Sequence, residues 1–599
     1  MTTKRKPVAK PGACLLAAGL ACLLAPCPAR TQSASAAAQA RPSAEANAAY
    51  QNGISALRRG DLGEARSAFE KAVALAPGSP EAHNSLGWVL SAQGELDPAV
   101  AQFRAALHLK PDFAQARINL ANALLRKREV QAALQEAREA VRMAPRDSEA
   151  RRTLGYVLDA AGQTQAAAGA LREAIRLEPS RADLHDDLGS LLVRLSQSKE
   201  AEAEFREALR ISPDLAPAHF HLGVLLLQRK SAEEAVQELE KASELMPQNA
   251  QAAYYLGLAC KEQGNPGAAI VALRSSVKLQ PDQPDAQNQL GVLLQHAGQL
   301  DEAAAAFRQV VRLQPENPEG HNNLGLVLLQ TGDGKGAIAE FREALRLRPN
   351  DPGYQGNLGA AYLQIADFAS AQAQFESALK TSPDDATLHY NLGLALKLQD
   401  HLADAVKEFR KAEELDPKQP DAPYTLGVTL WQQGDFDAAA TELRKAVAVK
   451  PDYAEAYYTL GTVLKQQGKL QDSAAALREA LKLQPAFAGA HITLAAVLRQ
   501  LGDEEGAAAE ARKGAALAKQ RTNLQAAEFA TNSGKRLFKA GDLEGAISQF
   551  RSAINSSADY APAHYELGMA LRQQGKDEEA RKEFQRAQEL DPKLVPPIS

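Results

Sequence analysis

A chain of 599 residues would hold about four ordinary globular domains, and its formal net charge is −5. The first thirty residues carry five bases and no acid (Lys4, Arg5, Lys6, Lys10 and Arg30). Without them 63 bases face 73 acids, a balance of −10 that argues against nucleic acid as a partner, which wants a basic stripe.

Residues 1–30 read as a secretory signal. Lys4, Arg5, Lys6 and Lys10 form a basic start, and Ala13–Ala25 is a 13-residue apolar run, short for a membrane span. Cleavage is expected after Ala29, Ala36 or Ala40. A retained anchor or a lipoprotein is the alternative, although Pro26 directly before Cys27 makes a poor lipidation site. Residues 31–45, rich in Ser, Ala and Gln, read as a disordered lead-in. Cys14, Cys22 and Cys27 fall in the signal, so a mature chain keeps only Cys260 and has no intrachain disulfide to form.

From Ala46 the sequence repeats every 34 residues. Prolines mark the period, running from Pro77, Pro111 and Pro145 through Pro315 and Pro349 to Pro485 without an insertion. With Pro318 taken as position 1 of one copy, sixteen copies fit between Ala46 and Leu594. Position 8 is Gly except where Ala121 and Ala495 stand in, and position 20 is Ala except for Ser473. Position 24 is recurrently Phe (Phe69, Phe205, Phe341, Phe584), position 27 mostly Ala, and position 32 proline. Each copy holds two apolar-periodic helical segments, such as 319–330 and 335–347. In eleven copies a Gly, such as Gly332 or Gly434, divides them and can take the left-handed backbone that ends a helix. Small residues at positions 8, 20 and 27 predict close helix approach.

Copies one to thirteen cover 46–487. Copy fourteen (488–521) is degenerate: Ala495, Ala511, Gly514 and Lys519 replace the usual Gly, Phe, Ala and Pro, and Thr522–Ala526 is a five-residue insertion. With no proline to stop it, its second helix is expected to run on. Copies fifteen and sixteen fill 527–594, and 595–599 is a tail.

The pattern of Leu-Gly, later Ala, Phe, Ala and a closing Pro resembles the tetratricopeptide (TPR) repeat. The resemblance implies an all-α fold, a right-handed α-solenoid superhelix of about sixteen helix-turn-helix repeats. It departs from the family at position 4, often Trp there but His in seven copies (His83, His185, His219, His321, His389, His491, His564). Histidines in register invite a metal reading. One repeat of separation is roughly a helix-packing diameter, too far for ligands at about 2 Å, so they read as partly buried fillers at a helix junction.

At about 100° per residue, positions 3, 4, 7, 8, 10, 11 and 14 of the first helix share the packing half, and positions 2, 5, 6, 9, 12 and 13 the other. The resemblance implies that this second stripe lines a concave groove where peptides bind. Asn119, Asn323, Asn357, Asn391 and Asn532 occupy position 6. An amide donates and accepts, so a row of them could hold an extended backbone without reading its sequence. This is similar to the asparagine ladder of O-GlcNAc transferase, whose catalytic domain has no counterpart here; equally, Asn suits the first turns of an exposed helix. Tyr390, Tyr424 and Tyr458 occupy position 5 of consecutive copies with Trp431 at position 12, as aromatic anchors or as ordinary packing. Acids at position 2 (Asp421, Glu455) and bases at position 12 (Lys397, Lys465) could make two charged rims, or only complement the helix dipole.

Gly332–Gly336 lacks the spacing and the preceding strand of a phosphate loop, and no HExxH, GxSxG or CxxC occurs. No copy has the position-5 Lys of the family's carboxylate clamp. The expectation is therefore a non-enzymatic, exported scaffold, periplasmic or secreted, without cofactor or metal. It would bind protein or peptide, and reach a membrane only through an uncleaved start. The alternative is a regulatory or substrate-presenting subunit of an envelope polysaccharide-synthesis or secretion complex.

Overall fold

The computed structural model describes residues 43–595; the expected signal, most of the lead-in and the last four tail residues lie outside them. Among the described residues there are thirty-one helices and no strand. The first, Ala44–Arg58, begins two residues before the first repeat, because the Ser43 hydroxyl caps it by accepting from the Ala46 N–H at 3.1 Å. Ala44 and Glu45, expected in the lead-in, are thus helical.

Thereafter a first (A) helix of about thirteen residues alternates with a second (B) helix of about fourteen, as in Pro318–Gln330 and Gly334–Leu347. Caps set the starts: Asn317 accepts from Glu319 and Gly320 N–H, and Asp333 from Gly336 N–H. The A-to-B turn needs one left-handed residue at position 15. Eleven glycines supply it at φ of 73–88°, and Arg128, Ser196, Lys230, Ala366 and Asp400 adopt it at 61–65°. A side chain there costs about 1 kcal/mol, so the turn is imposed by the packing of the two helices it joins.

That packing centres on position 8. A Cβ on Gly325 would lie 2.6 Å from Phe341 Cε1, and one on Gly223 2.6 Å from Leu239 Cγ. The position-24 side chain therefore lies flat against bare A-helix backbone, where Phe69, Phe205 and Phe341 have no solvent exposure. The two copies with Ala at position 8 compensate: Ala121 and Ala495 belong to the copies whose position 24 is Ala137 or Ala511. The added methyl occurs only where the ring is missing.

The chain forms two compact halves, one ending at Gln309 and one starting at Val310. Within each half a helix packs on its sequence neighbours. Successive A helices also touch: Ala114–Arg126 meets Ser148–Ala160 in the first half, and Pro318–Gln330 meets Pro352–Gln364 in the second. Each half is thus an all-α repeat array with a wall of A helices. The B helices carry Glu–Arg pairs one turn apart, such as Glu207–Arg210 and Glu343–Arg346. From copy fourteen into copy fifteen, Glu504–Lys539 is one helix of 36 residues that absorbs the insertion 522–526. Neither Gly nor Pro interrupts residues 515–533. No described helix is long and apolar enough to cross a membrane.

Gly325→Ala should destabilise its repeat by about 1–3 kcal/mol through overpacking. Combined with Phe341→Ala, it should cost less than the two single costs together, since the methyl then has room. Chemical denaturation and hydrogen exchange over residues 318–351 would measure both, and strict additivity would contradict the ring-on-glycine account.

Candidate functional site

The position-4 histidines sit at the A–B junction. His321 Nδ1 lies 2.6 Å from Glu340 Oε2 and its Nε2 3.0 Å from the Pro315 carbonyl. His185, His219, His389 and His564 repeat this bridge to Glu204, Glu238, Glu408 and Glu583 at 2.6 Å. His491 bridges to Glu510, and His83 reaches Gln102 at 2.6 Å. Each imidazole ties its A helix to its own B helix and to the carbonyl six residues before it, a proline's except at His564, where it is Ala558's. They are structural fillers, and no group of three His, Cys, Asp or Glu able to hold a metal occurs among the described residues.

On the other side of the A helices a second periodic contact appears, between position 5 of one copy and position 6 of the next. Tyr50 meets Ser85 at 3.2 Å, Asn119 Nδ2 donates to Asn84 Oδ1 at 2.9 Å, and Asn357 Nδ2 donates to Asn322 Oδ1 at 2.8 Å. Tyr390 meets Thr425 at 3.2 Å. Positions 12 and 13 form a second row: Arg126 donates to Ser91 Oγ at 2.9 Å, Arg194 pairs with Asp159, and Trp431 Nε1 donates to Gln466 Oε1 at 2.7 Å. These rungs fix the register of neighbouring A helices.

They also separate the five asparagines. Asn119 is buried, with 8% exposure, because its amide is committed to Asn84 and Gln115. Asn357 is half-buried and committed to Asn322. Asn323 is half-buried. Asn391 is half-buried and Asn532 exposed, and neither has a hydrogen-bond partner among the described residues. The three tyrosines are half-buried on consecutive A helices, each against another ring: Tyr390 on Phe409 at 5.7 Å, Tyr424 on Tyr453 at 4.9 Å, and Tyr458 on Phe487 at 4.7 Å. Trp431 is half-buried in the neighbouring row. Asn391, the tyrosines and Trp431 thus fall in three consecutive copies, while Asn119 and Asn532 lie far along the sequence.

Sequence reading missed a charged network in copies four to six. Arg152, 3% exposed at position 5, reaches Asp187 Oδ2 and Asp183 Oδ2, each at 2.7 Å. Tyr156 donates to Asp187 at 2.6 Å, and Arg181 holds Glu149 at 2.7 Å and Asp183 at 3.0 Å. Beside it Asp186 Oδ1 lies 2.8 Å from His221 Nδ1. The signal was present: an Arg at position 5 followed 35 residues later by an Asp at position 6, the spacing of the neutral rungs. Burial pushes the Asp187 carboxyl up to about 6, against the pull of Arg152 and Tyr156. Burial opposes charge on His221, but Asp186 and Asp187 outweigh it and raise the imidazole. The hydrogen bond to Glu204 raises His185. Burial opposes the Asp183 charge as well, yet Arg152 and Arg181 hold that carboxyl low.

Comparison with known proteins gives the same picture as the repeat. The pattern described as "Tetratricopeptide repeat" matches residues 50–112, 84–148, 118–182, 152–216, 288–352, 357–420 and 531–594. Related repeat patterns match 192–259, 429–468 and 454–487. No curated protein matches the chain. Among solved structures it is similar to "APC/C hetero-tetramer Cut9-Hcn1", at 16% identity over 76% of this chain and 96% of that one, with a TM-score of 0.34. It is also similar to "YrrB: a TPR protein with an unusual peptide-binding site", at 24% identity over 31% and 95%, TM-score 0.30. Pseudomonas aeruginosa pilF matches at 26% identity over 35% and 95%, TM-score 0.31.

The charged network carries a pH dependence with a definite sign. A group whose folded value lies above its unfolded value stabilises most at low pH and loses that contribution as pH rises. For Asp187 the loss runs from about pH 4 to 6, and for His185 and His221 it follows above about 6.5. The lowered Asp183 acts in the opposite sense, below that window. Hydrogen-exchange protection over residues 148–228 should therefore fall from pH 4 to 8. Asp187→Asn should remove the part below pH 6, worth about 1–3 kcal/mol. A variant profile superimposable on the wild type between pH 4 and 6 would refute the assignment.

Proposed function

We infer a function from one premise: this chain belongs to the tetratricopeptide repeat family. It is a protein-interaction scaffold. We propose further that the A-helix wall of copies eleven to thirteen, from Ala386 to Gln466, holds an extended peptide or an extended segment of a partner protein, without catalysis. What supports this reading is one juxtaposition: Tyr390, Tyr424 and Tyr458 at one level of three consecutive A helices, with Asn391 beside them carrying an uncommitted amide. Aromatic rings give contact area, and an open amide can bind a peptide unit through both its donor and its acceptor.

The wall is selective by subtraction. Where position-5 and position-6 side chains bond to each other, as in Asn84–Asn119 and Arg152–Asp187, their polar capacity is used within the protein. Copies eleven to thirteen keep the Tyr390–Thr425 and Trp431–Gln466 rungs but leave the Asn391 amide open.

The basic and apolar first thirty residues support export as part of the proposal, and with it the second reading, a subunit of an envelope polysaccharide-synthesis or secretion complex. Sequencing the N-terminus of the protein isolated from its host should find it beginning after Ala29, Ala36 or Ala40. A start at Met1 would remove the processed form.

Peptides selected from a random displayed library on the full chain should lose about tenfold or more in affinity to the variant carrying Asn391→Ala and Tyr424→Ala, with helicity unchanged. They should bind normally to the B-helix variant Arg206→Ala. Unchanged affinity for the first variant, or loss with the second, would move the binding surface elsewhere.

A further inference from the structure

Many bases that face the A-helix wall are paired, and Arg58 and Lys539, which are not among the described residues, are exposed. Arg194 is matched by Asp159, and Lys535 by Glu566 at 3.0 Å. Arg126 donates to Ser91, and Lys261 to Gln289 at 2.9 Å. Lys397 and Lys465 differ: among the described residues neither ammonium has a carboxylate or a hydrogen-bond acceptor. Both are half-buried at position 12, in the copies on either side of the one that carries Trp431. Burial alone, with no countercharge, pulls the Lys397 amine below its usual value. A half-buried cation without a partner is unfavourable, and a carboxylate arriving from outside relieves it. Leu398, next to Lys397 and 54% exposed, adds apolar surface to the same row.

We propose that the row Lys397–Trp431–Lys465, with Tyr390, Tyr424 and Tyr458 two helical turns away, selects an acidic peptide whose carboxylates pair with the two lysines while its apolar side chains lie on the rings. The proposal rests on the peptide-binding reading above and adds the chemistry of the ligand. Two repeats separate the lysines by roughly 20 Å, which an extended chain covers in about six residues. The fitting motif therefore carries two acidic residues about six positions apart, with apolar residues between.

The chain has two tryptophans, Trp88 and Trp431, so Trp88→Phe isolates the emission of Trp431 in the full-length protein. Three probes decide the matter: a peptide of about ten residues with two Glu six positions apart and Leu or Phe between, its Gln isostere, and an oligothymidylate of equal length. The acidic peptide should change Trp431 emission and bind about tenfold more tightly than the Gln isostere, with the difference shrinking as salt rises. Lys397→Gln combined with Lys465→Gln should erase the preference and leave the isostere's affinity unchanged. Equal binding of the two peptides, or a preference that survives the double substitution, overturns the charge selection and leaves the peptide reading standing. Tighter binding of the oligothymidylate reassigns the row to single-stranded nucleic acid. Failure of both peptides to bind overturns this proposal and the peptide-binding reading together.

Discussion

The contact that the rest of the structure depends on is a flat side chain against a bare stretch of helix. At position 8 a methyl group would meet the position-24 Phe or Leu at 2.5–2.8 Å, except at Gly155, where Leu171 stands at 3.2 Å. This brings the A and B helices close enough for the small residues at positions 20 and 27, such as Ala337 and Ala344, to be fully buried. The same approach angle forces the left-handed turn at position 15 even on Ser196 and Ala366. It also sets A helices near enough in succession for their side chains to meet. The exceptions support the rule, since Ala121 and Ala495 occur with Ala137 and Ala511.

Most of the fold was legible because its determinants are local and repeated sixteen times. Period, helix pair, turn and stop are each carried by one residue type at one position, and a pattern seen in register is hard to misread. The histidines were legible as fillers for the same reason. Their position-23 partners, a carboxylate in six copies and Gln102 in the other, could be located only once the two helices were laid together.

The candidate site was less legible, because its chemistry depends on pairs that cross from one copy to the next. Asn119 and Asn391 share a position and a residue type. The first is spent because position 5 of the preceding copy is Asn84, and the second is open because the corresponding residue is Gly356. Reading position 6 alone treats them as equivalent. Reading position 5 with the position 6 that lies 35 residues on separates them, and would have exposed Arg152 with Asp187 as well. The wall thus alternates between stretches that have satisfied themselves and stretches that have not.

The helix Glu504–Lys539 has a mechanical side. It is a rod of roughly 54 Å shared by two repeats. Were the chain drawn out from its ends, an ordinary repeat could peel away at its proline turn, yielding length in steps of one period. Copies fourteen and fifteen have no such turn between them. Their shared rod makes them give way as one larger step, so the array under tension carries a single long tooth in an otherwise regular ratchet.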